Sequence, residues 1–259
     1  MTTALIAGYC GVMGLLIGSF VNVVIWRVPR GQSIVSPPSA CPKCGHRLRA
    51  YDNIPVASWI VLGGRCRDCR APISVRYPAV ELITGAIFVI VALAVPLGAL
   101  PAYLWLAGAG VALAGIDLDV KRLPNAIVYP SIAVVGVWLV AFGLIAGDPR
   151  QAGRTVLAGL ALGAFFGLIH LVVPRGMGMG DVKLAVLIGM ALGWLGWSQV
   201  LVGAFLAFLL GAVVGVALMA SGRAGRKTAL PFGPFMLLGC LIGIVAGAQI
   251  GDWYANLFG

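Results

Sequence analysis

Residues 175–185 read RGMGMGDVKLA, with long apolar runs on both sides. Three glycines, an aspartate and a lysine crowd into a few positions of a chain that otherwise avoids charge. Composition gives Asp181 its setting. Of 259 residues, 61% are hydrophobic and 10% charged, whereas a soluble domain carries about 25% charged residues. The mean hydropathy is +1.02. Glycine occurs 37 times, as expected where helices pack closely in lipid. The chain therefore reads as an all-α polytopic membrane protein with membrane lipid around it.

A helix needs about 20 apolar residues to cross the hydrocarbon core. Eight stretches qualify, at 4–26, 77–96, 101–118, 125–146, 155–173, 182–197, 199–220 and 231–250. The break between the sixth and seventh, at Gly196-Trp197-Ser198, is the least sharply marked. The first stretch lacks a basic leader region and ends in Trp26-Arg27 rather than at a small-residue cleavage site, so it reads as a membrane helix and not as a cleaved signal peptide. The expected organisation is a first transmembrane helix over 1–26, a cysteine-bearing loop domain over 27–76, and a seven-helix membrane domain over 77–259.

Eight spans put both termini on one side. The 27–76 loop holds nine lysines and arginines, joined by Lys121, Arg122, Arg175, Lys183, Arg223, Arg226 and Lys227. Only Arg150 and Arg154 fall on the opposite face. The positive-inside rule then places the 27–76 loop in the cytoplasm and both termini outside. The net charge of +10 is read as a topology signal. It is spread over four loops rather than gathered on one soluble face, so no nucleic-acid partner is expected.

The loop contains CPKCGHRL (41–48) and CRDC (66–69). Two C-x-x-C pairs on two turns can bring Cys41, Cys44, Cys66 and Cys69 onto one tetrahedral zinc ion. Four free thiols or two disulfides are the alternatives, and a reducing cytoplasm disfavours disulfides. Four thiolates leave no open coordination position, so the expected zinc is structural. A loop with so little apolar core needs such a staple. His46 reads as a solvated neighbour, and Cys10 and Cys240, inside apolar spans, as packing residues.

Four acidic residues lie near or within spans: Glu81, Asp117, Asp119 and Asp181. Ionisable groups at membrane depth are costly and are functional candidates. Asp117 ends the third span in GIDLDVKRLPN, and Asp181 precedes the sixth. Two carboxylates a few ångströms apart cannot both ionise easily, so one keeps its proton while the other serves as a base. Such a pair can activate water against a peptide carbonyl. Gly176, Gly178 and Gly180 would let an extended substrate approach the backbone. The residues also admit plainer readings. Asp117 and Asp119 would pair with Lys121 and Arg122, Asp181 would cap the sixth span, and an aspartate pair can also carry ions in a transporter. Asp117 and Asp181 would then be the ion-coupling groups. His170 reads as a satisfied core histidine.

Taken in order, four segments resemble the type IV prepilin leader peptidases, bifunctional peptidases and N-methyltransferases of bacterial inner membranes. GSFVNVVIWRVPRG (18–31) is similar to the family's first-helix signature, and residues 41–85 to its cysteine loop and the start of the next helix. GIDLDVKRLPN (115–125) resembles the first catalytic segment, with Asp117 six residues before Leu123 and seven before Pro124. GMGMGDVKLA (176–185) fits the GxGD motif shared with other intramembrane aspartic proteases such as presenilins. The resemblance implies Asp117 and Asp181 as the catalytic pair, Gly178 and Gly180 as the motif glycines, and the four cysteines as metal ligands. Asp119 becomes a supporting neighbour, and Lys183 a cation favouring an ionised Asp181. Glu81 becomes a candidate contact for an amine or cofactor. The implied partners are prepilin or pseudopilin precursors whose basic leader lies in the cytoplasm, and the implied methyl donor is S-adenosylmethionine.

No stretch marks the donor's pocket. GAGVALAG (108–115) lies inside an apolar span and reads as helix packing, so methyl transfer rests on analogy alone. Two other classes compete. A transporter would tend to show internal repeats, and the 117–119 and 178–181 segments do not resemble each other. A cysteine-loop docking module on a membrane anchor would have no need of eight spans with aspartates at two of their ends.

Overall fold

A computed structural model describes residues 2–174, 176–223, 225 and 230–258. Arg175, Arg226 and Lys227, counted above among the cytoplasmic cations, lie outside the described residues. Nine α-helices account for most of the described chain, and it contains no strand. They are α1 (Thr2–Arg27), the short α2 (Ala57–Val61), α3 (Arg76–Ala94), α4 (Leu100–Val120), α5 (Asn125–Ile145), α6 (Pro149–Val172), α7 (Met179–Leu195), α8 (Trp197–Ala220) and α9 (Gly233–Phe258).

Seven of these helices are long and apolar enough to cross a membrane: α1, α3, α4, α5, α6, α8 and α9. The exception among the eight expected spans is α7, with 17 residues. At ~1.5 Å per residue it reaches about 25 Å, the lower limit for a crossing. Its shortness has a cause. Arg154 of α6 donates from Nε to Gly193 O at 2.6 Å and from Nη2 to Trp194 O at 2.9 Å, and Gln151 Nε2 reaches Trp194 O at 3.1 Å. These side chains satisfy the carbonyls that a further helical turn would have used. The break before α8 is thus held from α6, not by anything local to Gly196. The start of α6 moves for a related reason. It begins at Pro149 rather than at 155, because Asp148 caps it by accepting from Gln151 N at 2.9 Å, so the polar turn that an apolar window excludes is helical.

The chain divides into two compact units, 1–93 with 107–112, and 94–106 with 113–259. In the first, α1 and α3 meet through small residues. A β-carbon on Gly14 would lie 2.8 Å from Gly85 Cα, and one on Gly18 would lie 2.7 Å from Glu81 Cα. The outward face of α1 carries Leu5, Tyr9, Val12, Leu16 and Phe20, all exposed and spaced by three or four residues. Such a stripe on an apolar helix is a lipid-facing surface.

In the second unit, α7 touches α5, α6, α8 and α9. Leu184, Leu187 and Leu192 expose 0% of their surface. Two G-x-x-x-G pairs, Gly159/Gly163 on α6 and Gly189/Gly193 on α7, form the seam between those helices. A β-carbon on Gly189 would stand 2.5 Å from Ala158 O and 2.9 Å from Gly159 Cα, both backbone. Gly203 and Ala207 of α8 face Gly239 and Gly243 of α9 in the same manner, and Gly247 packs on Gln199. Without a hydrophobic force between helices in lipid, this close approach supplies the packing energy.

Gly189→Ala is expected to cost about 1–3 kcal/mol, because backbone cannot yield to the added methyl. Gly153→Ala, with nothing within 4 Å, is expected to be neutral or to gain up to about 1 kcal/mol of helix propensity. Thermal unfolding of the two variants in detergent checks the contrast.

Candidate functional site

α4 ends one turn after Asp117. Lys121 adopts the left-handed conformation (φ 53°, ψ 45°) and its N–H bonds Asp117 O at 2.9 Å. Pro124 cannot donate to a continuing helix, and it stands instead immediately before the first residue of α5, Asn125. Asp117 therefore lies inside α4 rather than after it, and is 5% exposed. Its Oδ2 accepts from the N–H of Gly233, the first residue of α9, at 2.9 Å. Asp117 itself forms no ion pair with Lys121 or Arg122.

Asp181 lies in the first turn of α7, also inside the helix, and is half-buried. Its Oδ2 reaches back to the Gly178 N–H at 2.9 Å. The capping reading is thus part of the geometry, and it uses only one oxygen. Both aspartates share the same arrangement. Each ties one carboxylate oxygen to an N–H at a helix start, where the helix dipole favours negative charge.

A continuous line of contacts joins them. A β-carbon on Gly233 would lie 2.9 Å from Asp117 Oδ2 and 3.3 Å from Leu123 Cδ2, and one on Gly180 would lie 3.0 Å from Leu123 Cβ. The motif glycines have a use that the sequence did not reveal. Gly178 leaves room for the Asp181 carboxylate, whose Oδ2 would be 3.3 Å from its β-carbon, and Gly180 leaves room for Leu123. Lys183 does not pair with Asp181. Its Nζ donates to Asn125 Oδ1 at 2.9 Å and lies 5.0 Å from the centre of the Tyr129 ring, clasping the start of α7 to the start of α5. Asp119 is exposed, about 200° around the helix from Asp117. His170 Nδ1 bonds Met177 O at 2.8 Å and ties the end of α6 to the loop before α7. Gly233, Leu123, Asn125 and Tyr129 carried no signal of their own in the sequence, since each acts only through a neighbour distant in the chain.

In the first unit the cysteine loop forms two matched turns. Cys41 N bonds His46 O and Gly45 N bonds Cys41 O, and Cys66 N bonds Ala71 O and Arg70 N bonds Cys66 O, at 2.8–3.0 Å. The fifth residue of each turn is left-handed, Gly45 at φ 70° and Arg70 at φ 59°. The four sulfurs lie within 4.8 Å of one another, and Cys41 and Cys69 are 3.8 Å apart. A disulfide needs about 2.05 Å, and all four cysteines are free. Four sulfurs ~2.3 Å from a tetrahedral ion would be about 3.8 Å apart, so the set fits a metal ion. The N–H groups of Cys44 and then Lys43 draw the Cys41 thiol down to about 6, while burial and the hydrogen bonds of the other three thiols push Cys69 up, so the four sulfurs titrate as one set. Arg67 grips Asp52 at 2.7 and 2.9 Å, and Arg49 meets Asp68 at 3.1 Å, fastening the second turn to the segment after the first. His46 is outside the cluster, 3.9 Å from Asp68. Cys10 and Cys240 are buried apart from it.

Glu81, in the second turn of α3, is 8% exposed. Its Oε2 accepts from Val56 N at 2.7 Å. Val56 has φ 61° and ψ −51°, a strained conformation for a β-branched residue that costs ~1–3 kcal/mol.

Residues 12–95 match the bacterial peptidase A24 N-terminal domain, and residues 104–216 match the type IV leader peptidase family. Proteins named prepilin leader peptidase/N-methyltransferase are similar along most of the chain. That of Pseudomonas aeruginosa is 34% identical, over 95% of this chain and 92% of its own. That of Aeromonas hydrophila is 36% identical, over 94% and 92%. That of Myxococcus xanthus is 42% identical, over 88% and 70%. No solved structure matches the chain significantly. With two family models covering residues 12–95 and 104–216 and relatives of this identity aligned along nearly its full length, this multi-pass membrane protein belongs to the type IV leader peptidase family.

Proposed function

We propose that the protein cleaves the basic leader from type IV prepilin-like or pseudopilin precursors at the cytoplasmic face of a bacterial inner membrane. We further propose that it N-methylates the new N-terminal residue with S-adenosylmethionine. The names of the relatives support the pairing of activities. Ion-coupled transport by the same aspartates finds no such support.

The observation that carries the peptidase reading is the matched tethering of Asp117 and Asp181, each by one oxygen to a helix-start N–H. The tether fixes each carboxyl group and leaves its second oxygen for chemistry. In the reaction, the ionised member takes a proton from water as the oxygen attacks the scissile carbonyl. The protonated member hydrogen-bonds the carbonyl oxygen. Collapse of the tetrahedral adduct breaks the C–N bond, and a proton passes from the pair to the departing amine. Gly178, Gly180 and Lys183 position the start of α7 in this scheme, and Asp119 takes no proton. The excess of lysine and arginine in the cysteine loop and at the helix ends that carry both aspartates supports a cytoplasmic side for them, and with α7 crossing the membrane both termini lie outside.

The ion that Cys41, Cys44, Cys66 and Cys69 would hold is zinc in this reading. When bound, it supplies a structural link between the two turns, with no open position for substrate.

Asp117→Asn and Asp181→Asn are each expected to lower leader cleavage by about 10²–10⁴-fold or more, while the protein still inserts and folds. Cleavage of a pilin-like precursor by purified variants checks this, and a normal rate removes the residue from the pair. Cys44→Ser is expected to lose bound zinc and to lower protein level. Zinc content of the wild type should hold at neutral pH and fall in acid, where the thiolate ligands are lost to protonation. Metal analysis across that range measures both effects.

A further inference from the structure

A carboxylate in the second turn of an apolar helix needs a cation or several donors. Among the described residues Glu81 has neither. The Val56 N–H on Oε2 is its one hydrogen bond, and the ion pairs of Asp52 and Asp68 with Arg67, Arg49 and His46 do not include it. Oε1 takes no hydrogen bond. Nor is it sealed away, since the buried side-chain atom without a partner among the described residues is Trp194 Nε1.

The donor that Glu81 does have is held at a cost. Ala57 N bonds Pro55 O at 2.6 Å across Val56, a tight turn of the rare strained kind. A strained residue that persists in order to aim one N–H at one carboxylate points to a purpose for that carboxylate. Packing also fixes it from the other side, because Gly18 brings α1 onto the Glu81 backbone. Ser19 follows Gly18, with its Oγ 3.5 Å from Asn53 Oδ1. A groove of about 230 Å³ beside these two residues is lined by the apolar Leu16, Phe20 and Val23 and by the polar Ser19, Arg27 and Asn53. Its mixed walls suit a ligand that is partly apolar and partly hydrogen-bonding.

We propose that Glu81 Oε1 anchors an onium cation for methyl transfer, either the sulfonium of the methyl donor or the α-ammonium of the processed peptide. This rests on the N-methyltransferase reading above. The chemistry favours a fixed anion. As the amine lone pair forms the new N–C bond, the S–C bond breaks and its electron pair leaves on sulfur. Positive charge passes from sulfur to nitrogen, and the nitrogen then releases a proton to water. One carboxylate can therefore attend the charge before and after transfer, without acting as a base.

The test uses the full-length protein in nanodiscs. Binding of S-adenosylmethionine is compared with that of S-adenosylhomocysteine, which lacks the sulfonium charge. Binding of a processed pilin-like peptide is compared with that of its N-acetylated form. Glu81→Gln keeps an acceptor for the Val56 N–H and removes the charge. If sulfonium is the cation, E81Q weakens S-adenosylmethionine by about 30-fold or more and leaves S-adenosylhomocysteine within about twofold. If the α-ammonium is the cation, the preference for the free-amine peptide collapses instead. Both preferences unchanged in E81Q would overturn the proposal. Should E81Q fail to fold, the wild type decides, since a charge anchor requires a preference of at least about fivefold in one pair. No preference in either pair also overturns it. A wild type that transfers methyl groups while E81Q behaves identically defeats only the role of Glu81. A wild type that neither binds S-adenosylmethionine nor transfers methyl defeats the broader reading.

Discussion

A carboxyl group carried into an apolar helix must find a donor, and everything distinctive in this protein follows from how few donors such a chain can offer. With 18 lysines and arginines, most of them in loops, the side chains at helix depth cannot neutralise the acids. Backbone N–H groups at helix starts are the available substitute, because the first turn of any helix leaves them unsatisfied. Asp117 uses the start of α9 and Asp181 the start of α7. Glu81 uses a strained turn at the start of α2. In each case one oxygen is held and the other is left over, a geometry that serves chemistry better than an ion pair would.

That solution imposes demands on packing. The start of α9 must come within 2.9 Å of a side chain on α4, and the start of α7 must accept Leu123 against Gly180. Helices can be brought together so closely only where side chains are missing, which accounts for the glycine seams between α6 and α7 and between α8 and α9. The central helix is also the shortest of the eight, and its far end is finished by Arg154 from α6 rather than by a cap of its own. The same arginine that looks like a stray charge on the wrong face is a structural fitting.

The cysteine loop solves a different problem. It is too polar to build a core, so backbone turns and two arginine–aspartate pairs draw four sulfurs together. The sulfur spacing and the lowered Cys41 thiol both suit a bound ion, which would replace the missing core as the source of stability.

Much of this was legible in the residues. Apolar run length marks the helices, because the thickness of the bilayer sets how many residues a crossing needs. The paired C-x-x-C spacing marks the metal cluster, because each pair closes a local turn. Both aspartates stand out because charge is rare in such a chain. What local pattern could not contain was the partner of each group. That α6 begins at Pro149, that Gly178 makes space for a carboxylate, that Lys183 seeks Asn125 rather than Asp181, and that Asp117 borrows an N–H from Gly233, 116 residues away, are decided by which helices touch. Sequence alone determined the helices and singled out the acidic and thiol groups, since both depend on near neighbours in the chain. Tertiary structure alone decided which donors those groups would meet, since an unsatisfied N–H belongs to whichever side chain packing brings to it.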